Sequence, residues 1–198
     1  MVIAVAAFKG GVGKTTTAIH LAAFLSQGGN TLLVDGDPNR SALAWSARGP
    51  GLPFEVLSEK EAPGRAKEFS HTIIDTEARP SKDDLLELAD GCDLLVLPTT
   101  PDAMSLDSLM QSLTVLRGNY RVLVTICPPP PSRSGVEARD ELRGAGWSTF
   151  KTCVRRFAAY GKAAAQGALV KDVRDPKAEF AWSDYEQLGK EILRGRKI

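Results

Sequence analysis

Cysteine and histidine are scarce in this chain of 198 residues, which has three cysteines and two histidines. Cys92, Cys127 and Cys153 are widely spaced, form no C-x-x-C pair and have no histidine cluster nearby. This pattern argues against a zinc site and a disulfide framework, and it is typical of a protein from a reducing cytosol. We interpret the cysteines as small residues that fill the core.

Long apolar runs are also missing. No run approaches the roughly 18 residues that a membrane-spanning helix needs. Met1 leads directly into an apolar segment, so we expect no signal peptide and a cytoplasmic protein. Internal repeats and linker-like stretches are absent, and low complexity is confined to prolines 128–131. The chain length then predicts one domain spanning residues 1–198.

The net charge of +1 conceals an uneven distribution. Residues 151–198 hold eleven Lys/Arg against six Asp/Glu, and the preceding residues are correspondingly acidic. A basic C-terminal region is compatible with a polyanionic partner, but it is equally compatible with a solvated helix face. Charge alone leaves both interpretations open.

Apolar runs alternate with helical patterns along the chain. Helical periodicity occurs over residues 15–27, 105–117, 136–142 and 184–193. The apolar runs cover residues 2–7, 31–34, 72–74, 94–97 and 122–126, with a weaker sixth near 148–154. Most runs are continuous, as expected for strands buried on both faces of a parallel sheet. We predict an α/β fold, doubly wound and mostly parallel, with helices on both faces and ligands at the carboxyl ends of the strands.

A glycine-rich segment with two lysines follows the first apolar run directly. Glycines let backbone N–H groups close on an anion, and the following helix adds the positive end of its dipole. Lys14 is placed to reach the β- and γ-phosphates of a nucleotide, and the Thr15 hydroxyl to bind Mg²⁺. The general phosphate-loop pattern is not met, since its first glycine falls on Phe8 and an extra lysine, Lys9, is present. The candidate nucleotide-binding residues here are Lys9, Gly10, Gly11, Val12, Gly13, Lys14, Thr15 and Thr16.

Carboxylates follow the second and third apolar runs. Asp35 and Asp37 are spaced by two and should lie on the same side of an extended segment. One of them can hold the water shell of a magnesium ion while the other orients a water for attack on the γ-phosphate. Asp75 follows the third run, where a second magnesium partner is expected in a phosphate-binding fold.

These segments together resemble the ParA/MinD family of deviant Walker ATPases. The resemblance rests on residues 9–16, 33–38 and 73–76, with weaker support from residues 98–101 and 155–167. It implies a P-loop NTPase of the deviant Walker type that uses ATP and Mg²⁺. It also implies a sandwich dimer that forms on ATP binding, with nucleotide at the interface.

The resemblance also implies individual roles. Lys9 would cross to the phosphates of the partner subunit, and Lys14 would be the Walker A lysine. Thr15 and Asp75 would serve the magnesium ion directly, with Asp35 behind them, and Asp37 would position the hydrolytic water. Catalytic roles thus fall to Lys9, Lys14 and Asp37, and metal-binding roles to Thr15, Asp35 and Asp75.

Three segments depart from the family pattern. Asn39 stands where glutamine is common, and residues 77–79 replace the usual small residues or proline. The polar residue often found after the fifth strand is missing, because prolines 128–131 occupy that place. We expect backbone groups near Pro128 to contact the adenine instead.

A positioning ATPase is the first functional hypothesis. The ATP dimer would bind nucleoid DNA without sequence preference, and a ParB-like or other adaptor protein would stimulate an otherwise slow hydrolysis. The cargo would be DNA or another intracellular body, such as a plasmid, a chromosome or a carboxysome. Candidate phosphate contacts are Arg155, Arg156, Lys162, Lys171 and Arg194, together with Arg174, Lys190, Arg196 and Lys197.

Two other hypotheses come from different classes. A MinD-like ATPase would cycle on a membrane through its last helix, which carries Leu188, Ile192 and Ile198 among basic residues. The apolar face is thin, so membrane binding is not the expectation. A nitrogenase-type iron protein would need Cys92 and Cys127 in glycine-rich cluster-binding loops, and neither lies in one.

Overall fold

Six parallel strands form one sheet in the computed structural model, which describes residues 1–114, 116 and 118–195. The predicted helix end at Arg117, the predicted phosphate contacts Arg196 and Lys197, and Ile198 of the membrane hypothesis lie outside the described residues. The strands are β1 (Val2–Ala7), β2 (Thr31–Asp35), β3 (Glu55–Ser58), β4 (His71–Ala78), β5 (Leu94–Thr99) and β6 (Tyr120–Val124). Their order across the sheet is β3-β2-β4-β1-β5-β6.

Helices cover both faces of this sheet. They are α1 (Lys14–Leu25), α2 (Ser41–Arg48), α3 (Lys82–Gly91), α4 (Ala103–Leu113), α5 (Ser134–Gly144), α6 (Ala158–Gln166) and α7 (Ala178–Arg194). Along β1, Ile3 and Val5 face a core built with α1, α2, α6 and α7, whereas Ala4 and Ala6 face one built with α3, α4 and α5. The predicted doubly wound α/β fold is confirmed. Among the described residues, every helix is too short or too polar to cross a lipid bilayer.

The sixth predicted strand, residues 148–154, is wrong. This segment runs beside β6 but forms only isolated parallel bridges, Val122 with Thr149 and Cys127 with Arg155. Between the bridges, the backbone N–H groups of Lys151 and Thr152 donate to the carboxylate of Glu191 on α7 at 2.8 and 3.1 Å. Phe150 and Val154 still donate to the Val122 and Val124 carbonyls of β6, but the Thr152 N–H between them is taken by Glu191, which interrupts the ladder.

The sequence patterns also missed β3, α2, α3 and α6. β3 is an edge strand with partly exposed residues, and α3 presents mostly polar side chains to solvent. Neither β3 nor α3 has the continuous apolar run that identified the other strands. The third predicted strand is real but longer, because β4 continues through Asp75 to Ala78.

The C-terminal region braces helix α1 through His20, which is fully buried. Its Nε2 accepts the backbone N–H of Val170 at 3.0 Å, so the ring proton lies on Nδ1, which donates to the Thr16 carbonyl at 2.7 Å. The ring stacks on Tyr185 with centroids 4.9 Å apart, and the Tyr185 hydroxyl lies 3.2 Å from that of Thr17. Burial lowers the pKa of His20 to about 4, partly opposed by the hydrogen bond to Thr16.

Stability should therefore depend on pH through His20. Between pH 6.5 and 4 the unfolded chain binds a proton on this residue that the folded chain does not. The contribution is constant above about pH 7, and the free energy of unfolding falls by about 3 kcal/mol by pH 4. Urea unfolding of the wild type and His20→Gln, whose amide still donates and accepts, should show a flatter pH profile for the variant. Parallel profiles would contradict this account.

Candidate functional site

The glycine-rich loop between β1 and α1 has backbone geometry suited to an anion. Gly11 and Gly13 adopt φ of 78° and 82°, the left-handed region that glycine enters without strain. α1 begins at Lys14, and no side chain caps its start. Its first backbone N–H groups and the positive end of the helix dipole therefore face the loop. Such an arrangement binds phosphate.

Lys14 lies between two carboxylates at the floor of this loop. Its Nζ is 2.7 Å from Asp75 Oδ1 and 3.0 Å from Asp37 Oδ2, and all three side chains are buried. The parallel sheet brings them together, because β1, β4 and β2 are neighbours and their carboxyl ends lie at one edge. The three residues that the sequence predicted from separate segments thus meet at one point.

The two carboxylates differ in their pKa. Burial raises the pKa of Asp75 above its usual value even though Lys14 and Thr15 oppose it. Asp75 Oδ2 is buried and has no hydrogen-bond partner among the described residues. Burial also acts to raise the pKa of Asp37, yet the backbone N–H of Asn39 and the ammonium of Lys14 together hold it below the usual value. Asn39 donates to Asp37 Oδ1 through both its backbone and its side-chain nitrogen, each at 2.9 Å.

Asp35 is a structural anchor in this arrangement. Its two oxygens accept the backbone N–H groups of Asp37 at 3.2 Å and of Leu43 at 2.9 Å. The side chain therefore fixes the loop after β2 to the start of α2. A direct metal role for Asp35 stays a prediction from the sequence, and the geometry favours an indirect one.

Lys9 stands apart from the buried cluster. Its side chain is half-exposed, and its Nζ lies 2.9 Å from Ser105 Oγ and 3.3 Å from Asp102 Oδ1. Asp102 also caps the start of α4. Hydrogen bonds from the Thr100 and Ser105 hydroxyls hold the pKa of Asp102 well below its usual range, so the carboxylate stays charged beside Lys9.

Thr125 is a site residue that the sequence patterns missed. Its buried hydroxyl donates to the Val12 carbonyl at 2.7 Å and lies 3.0 Å from the backbone carbonyl oxygen of Thr99. It therefore fastens the phosphate loop to the end of β6. The apolar run places Thr125 inside a predicted strand, but β6 ends at Val124. Polar residues at the carboxyl ends of strands are the signal that would have found it.

A cavity of about 540 Å³ opens beside the phosphate loop, within the range of ligand pockets. Beyond the loop its wall is formed by Thr125, Ile126, Tyr160, Tyr185 and the segment 154–157. Pro128 is exposed and does not line the cavity, because the chain leaves the sheet after Cys127. Segment 154–157 lines the cavity instead, and a contact of Pro128 with the adenine stays a prediction from the sequence.

The predicted phosphate contacts fall into two groups. The first group is already in ion pairs within the chain. Arg155 Nη2 lies 2.6 Å from Oδ1 of the buried Asp184, and the Lys162 ammonium lies 2.8 Å from Asp175. Arg156, Lys171 and Arg194 are exposed, although the Lys171 ammonium lies 4.9 Å from the centre of the Trp182 ring. Arg156 lines the cavity, whereas Arg194 ends α7.

A family model for the CobQ/CobB/MinD/ParA nucleotide-binding domain matches residues 3–178. The chain belongs to this family. It is 35% identical over 203 residues to the maintenance of carboxysome distribution protein A of Gloeobacter kilaueensis, an alignment that covers 98% of this chain and 94% of the relative. The ParA/MinD resemblance is therefore confirmed, and the protein is a ParA/MinD-family ATPase.

Solved structures support the same fold. A protein described as a plasmid partition protein of Borrelia burgdorferi, bound to AMPPNP, aligns with a TM-score of 0.73 at 18% identity over 98% of each chain. An ATP complex of a McdA variant from Cyanothece aligns with a TM-score of 0.72 at 15% identity, over 97% of this chain and 96% of the other.

An iron-sulfur cluster held by Cys92 and Cys127 is incompatible with this topology. Cys92 precedes β5 and Cys127 follows β6. Because these strands are parallel neighbours, the two cysteines lie at opposite ends of the strands. Within the described residues, no group of three or more histidine, cysteine, aspartate or glutamate side chains is placed to hold a metal ion.

Replacing Thr125 by valine should loosen the phosphate loop. The near-isosteric change leaves the buried Val12 carbonyl without its hydroxyl donor, which should lower the free energy of unfolding by ~1–2 kcal/mol and weaken nucleotide binding. Thr125→Ser, which keeps the hydroxyl, is the matched control. Urea unfolding and titration with a fluorescent ATP analogue measure the two effects. Equal behaviour of the valine and serine variants would show that the hydroxyl does not hold the loop.

Proposed function

We propose that this protein is a switch in which Mg²⁺-ATP joins two copies of the chain through Lys9. The placement of Lys9 carries the proposal, because its half-exposed ammonium lies on Asp102 and Ser105 while that of Lys14 is buried between Asp37 and Asp75. Lys14 serves the nucleotide of its own chain, and Lys9 serves that of the partner. A lysine supplied by the partner couples phosphate binding to dimerisation. Residues 1–198 would form one such ATPase domain.

The residues at the loop fit a magnesium ion. Asp75 Oδ2 is a buried oxygen without a hydrogen-bond partner among the described residues, and the Thr15 side chain lies beside that carboxylate. A metal bound there would neutralise charge on the phosphates. Mg²⁺ is usually held by one or two protein ligands, phosphate oxygens and water, so a dedicated protein cage is not required.

Asp37 is the residue proposed to position the attacking water. Its carboxylate is held by Asn39 on one oxygen and Lys14 on the other, which fixes its orientation. The depressed pKa keeps it ionised and therefore able to accept a hydrogen bond from water. The chain presents a preorganised carboxylate, but hydrolysis is proposed to be slow until an adaptor protein stimulates it.

Lys9→Ala should abolish ATP-dependent dimerisation. Light scattering with ATP and Mg²⁺ should report a dimer for the wild type and a monomer for the variant, and phosphate release should fall in parallel. Lys9 is half-exposed, so its removal should leave the fold intact. Lys60→Ala removes an exposed lysine that does not line the cavity and should behave as wild type. A Lys9→Ala protein that still dimerises with ATP would overturn the proposal.

DNA is the proposed surface on which the dimer works, and cargo positioning is the proposed role. The relatives support this, since one is named for carboxysome distribution and another for plasmid partition. Arg156, Lys171 and Arg194 are exposed and become six cations in a dimer, which suits non-sequence-specific phosphate contact. The proposed location is the nucleoid, and the proposed cargo is reached through an adaptor.

DNA binding should require ATP and weaken with salt. Asp37→Ala, intended to stop hydrolysis, should retain arbitrary duplex DNA in the presence of ATP but not of ADP. Arg156→Ala or Arg194→Ala should reduce the slope of log K against log salt by about 1 for each phosphate-binding cation that is removed. Lys162→Ala is the control, because its ammonium is already paired with Asp175. Equal affinity in the apo, ADP and ATP states would exclude the switch, and retention of anionic vesicles instead of DNA would favour a membrane role.

The membrane alternative is not favoured by the last helix. Tyr185, Leu188 and Ile192 of α7 are buried against the domain, so its apolar face is already used. Ile198, the remaining apolar residue of that hypothesis, lies outside the described residues.

A further inference from the structure

Two cysteines meet beside the nucleotide cavity, at the place where β6 ends. The backbone N–H of Cys127 donates to the Val154 carbonyl at 3.0 Å, and Cys127 forms an isolated bridge with Arg155. Cys153 directly precedes Val154 in the chain. The two cysteine side chains thus come from segments that are distant in sequence but adjacent in space.

Both sulfur atoms contact Gly135 in the first turn of α5. The Cys153 thiol lies 3.6 Å from the Gly135 carbonyl oxygen. A methyl group added at Gly135 would come within 2.5 Å of Cys127 Sγ, so only glycine allows α5 to approach this closely. The Cys127 thiol donates to the Val124 carbonyl at 3.6 Å. Interaction between the two neighbouring thiols is the largest cause both of the raised pKa of Cys127 and of the lowered pKa of Cys153.

We propose that Cys127 and Cys153 form a dithiol that a hydroperoxide oxidises to an intramolecular disulfide. The Cys153 thiolate attacks one oxygen of hydrogen peroxide, the O–O bond breaks, and a sulfenic acid and, after protonation, water are formed. The Cys127 thiol then attacks the sulfenic sulfur, giving the S–S bond and a second water. Two thiols are oxidised while one peroxide is reduced to two waters.

Cys153 is the thiol that should react first. It is half-buried, whereas Cys127 is only 3% exposed. The Arg139 guanidinium donates to the Lys151 carbonyl at 2.9 Å and, as a nearby cation, favours the Cys153 thiolate, whereas Asp140, which is paired with Arg139, opposes it. Cys127, buried and directed at Cys153, is placed as the resolving thiol.

Oxidation should alter the cavity through the segment that follows Cys153. A disulfide requires the two sulfurs to approach to about 2 Å. Cys127 is packed in the core, so the shift falls mainly on Cys153 and on residues 154–157, which line the cavity. We expect oxidised protein to bind nucleotide several-fold more weakly. Disulfide formation itself does not depend on the proposed dimer or on DNA binding.

The experiment treats reduced, nucleotide-free protein briefly with hydrogen peroxide and then alkylates it under denaturing conditions. Oxidised wild type should take up one alkyl group, at Cys92, instead of three. Mass spectrometry should find one peptide pair joining Cys127 and Cys153, which dithiothreitol separates. Three alkylated cysteines, a bridge that includes Cys92, or a bridge between two chains would each overturn the proposal.

Serine variants separate the roles of the three cysteines. Cys92→Ser should form the same disulfide as wild type, whereas Cys127→Ser should stop at an oxidised Cys153 that a sulfenic-acid reagent captures. Titration with a fluorescent ATP analogue should show weaker binding for oxidised wild type and recovery after reduction. Peroxide-treated Cys127→Ser should keep its affinity. Unchanged affinity in fully disulfide-bonded wild type would overturn the link to the cavity.

Discussion

The ammonium group of Lys14 lies buried between Asp37 and Asp75, and this cluster fixes the rest of the site. Each charge would be costly to bury alone, so the three side chains hold one another in place. Asp37 follows β2 and Asp75 lies on β4, so the cluster joins the loop after β2 and strand β4 to the start of α1. A phosphate entering the loop would compete with both carboxylates for the lysine. Phosphate binding at Lys14 therefore directly affects the segments that carry Asp37 and Asp75.

Further hydrogen bonds extend this connection in two directions. Asp35 ties the loop after β2 to α2, and Thr125 ties the phosphate loop to the end of β6. On the other side, Asp184 of α7 holds Arg155 in the cavity wall. The site is thus framed by elements from the first and the last parts of the chain. Shifts of the loop can reach α2 and α7 without any large rearrangement of the sheet.

The sequence predicted every strand except β3, together with the phosphate loop, because these have strong local signatures. Continuous apolar runs marked β1, β2, β5 and β6, and the spacing of lysine, glycine and threonine marked the loop. The edge strand β3 and the polar helix α3 lack such signatures. The prediction of a strand over residues 148–154 was wrong because apolar content does not show that the Lys151 and Thr152 N–H groups donate to Glu191. The contact between Lys9 and Asp102 joins residues 93 positions apart, which no local pattern encodes.

The contacts of His20 have a consequence for folding of the chain during translation. Helix α1 is synthesised early, yet its buried histidine needs the Val170 amide, and its Thr17 hydroxyl meets Tyr185 of α7. During translation, the helix that follows the phosphate loop therefore lacks these two contacts until Val170 and Tyr185 have been synthesised. We expect a nascent chain to acquire nucleotide affinity only after α7 has left the ribosome.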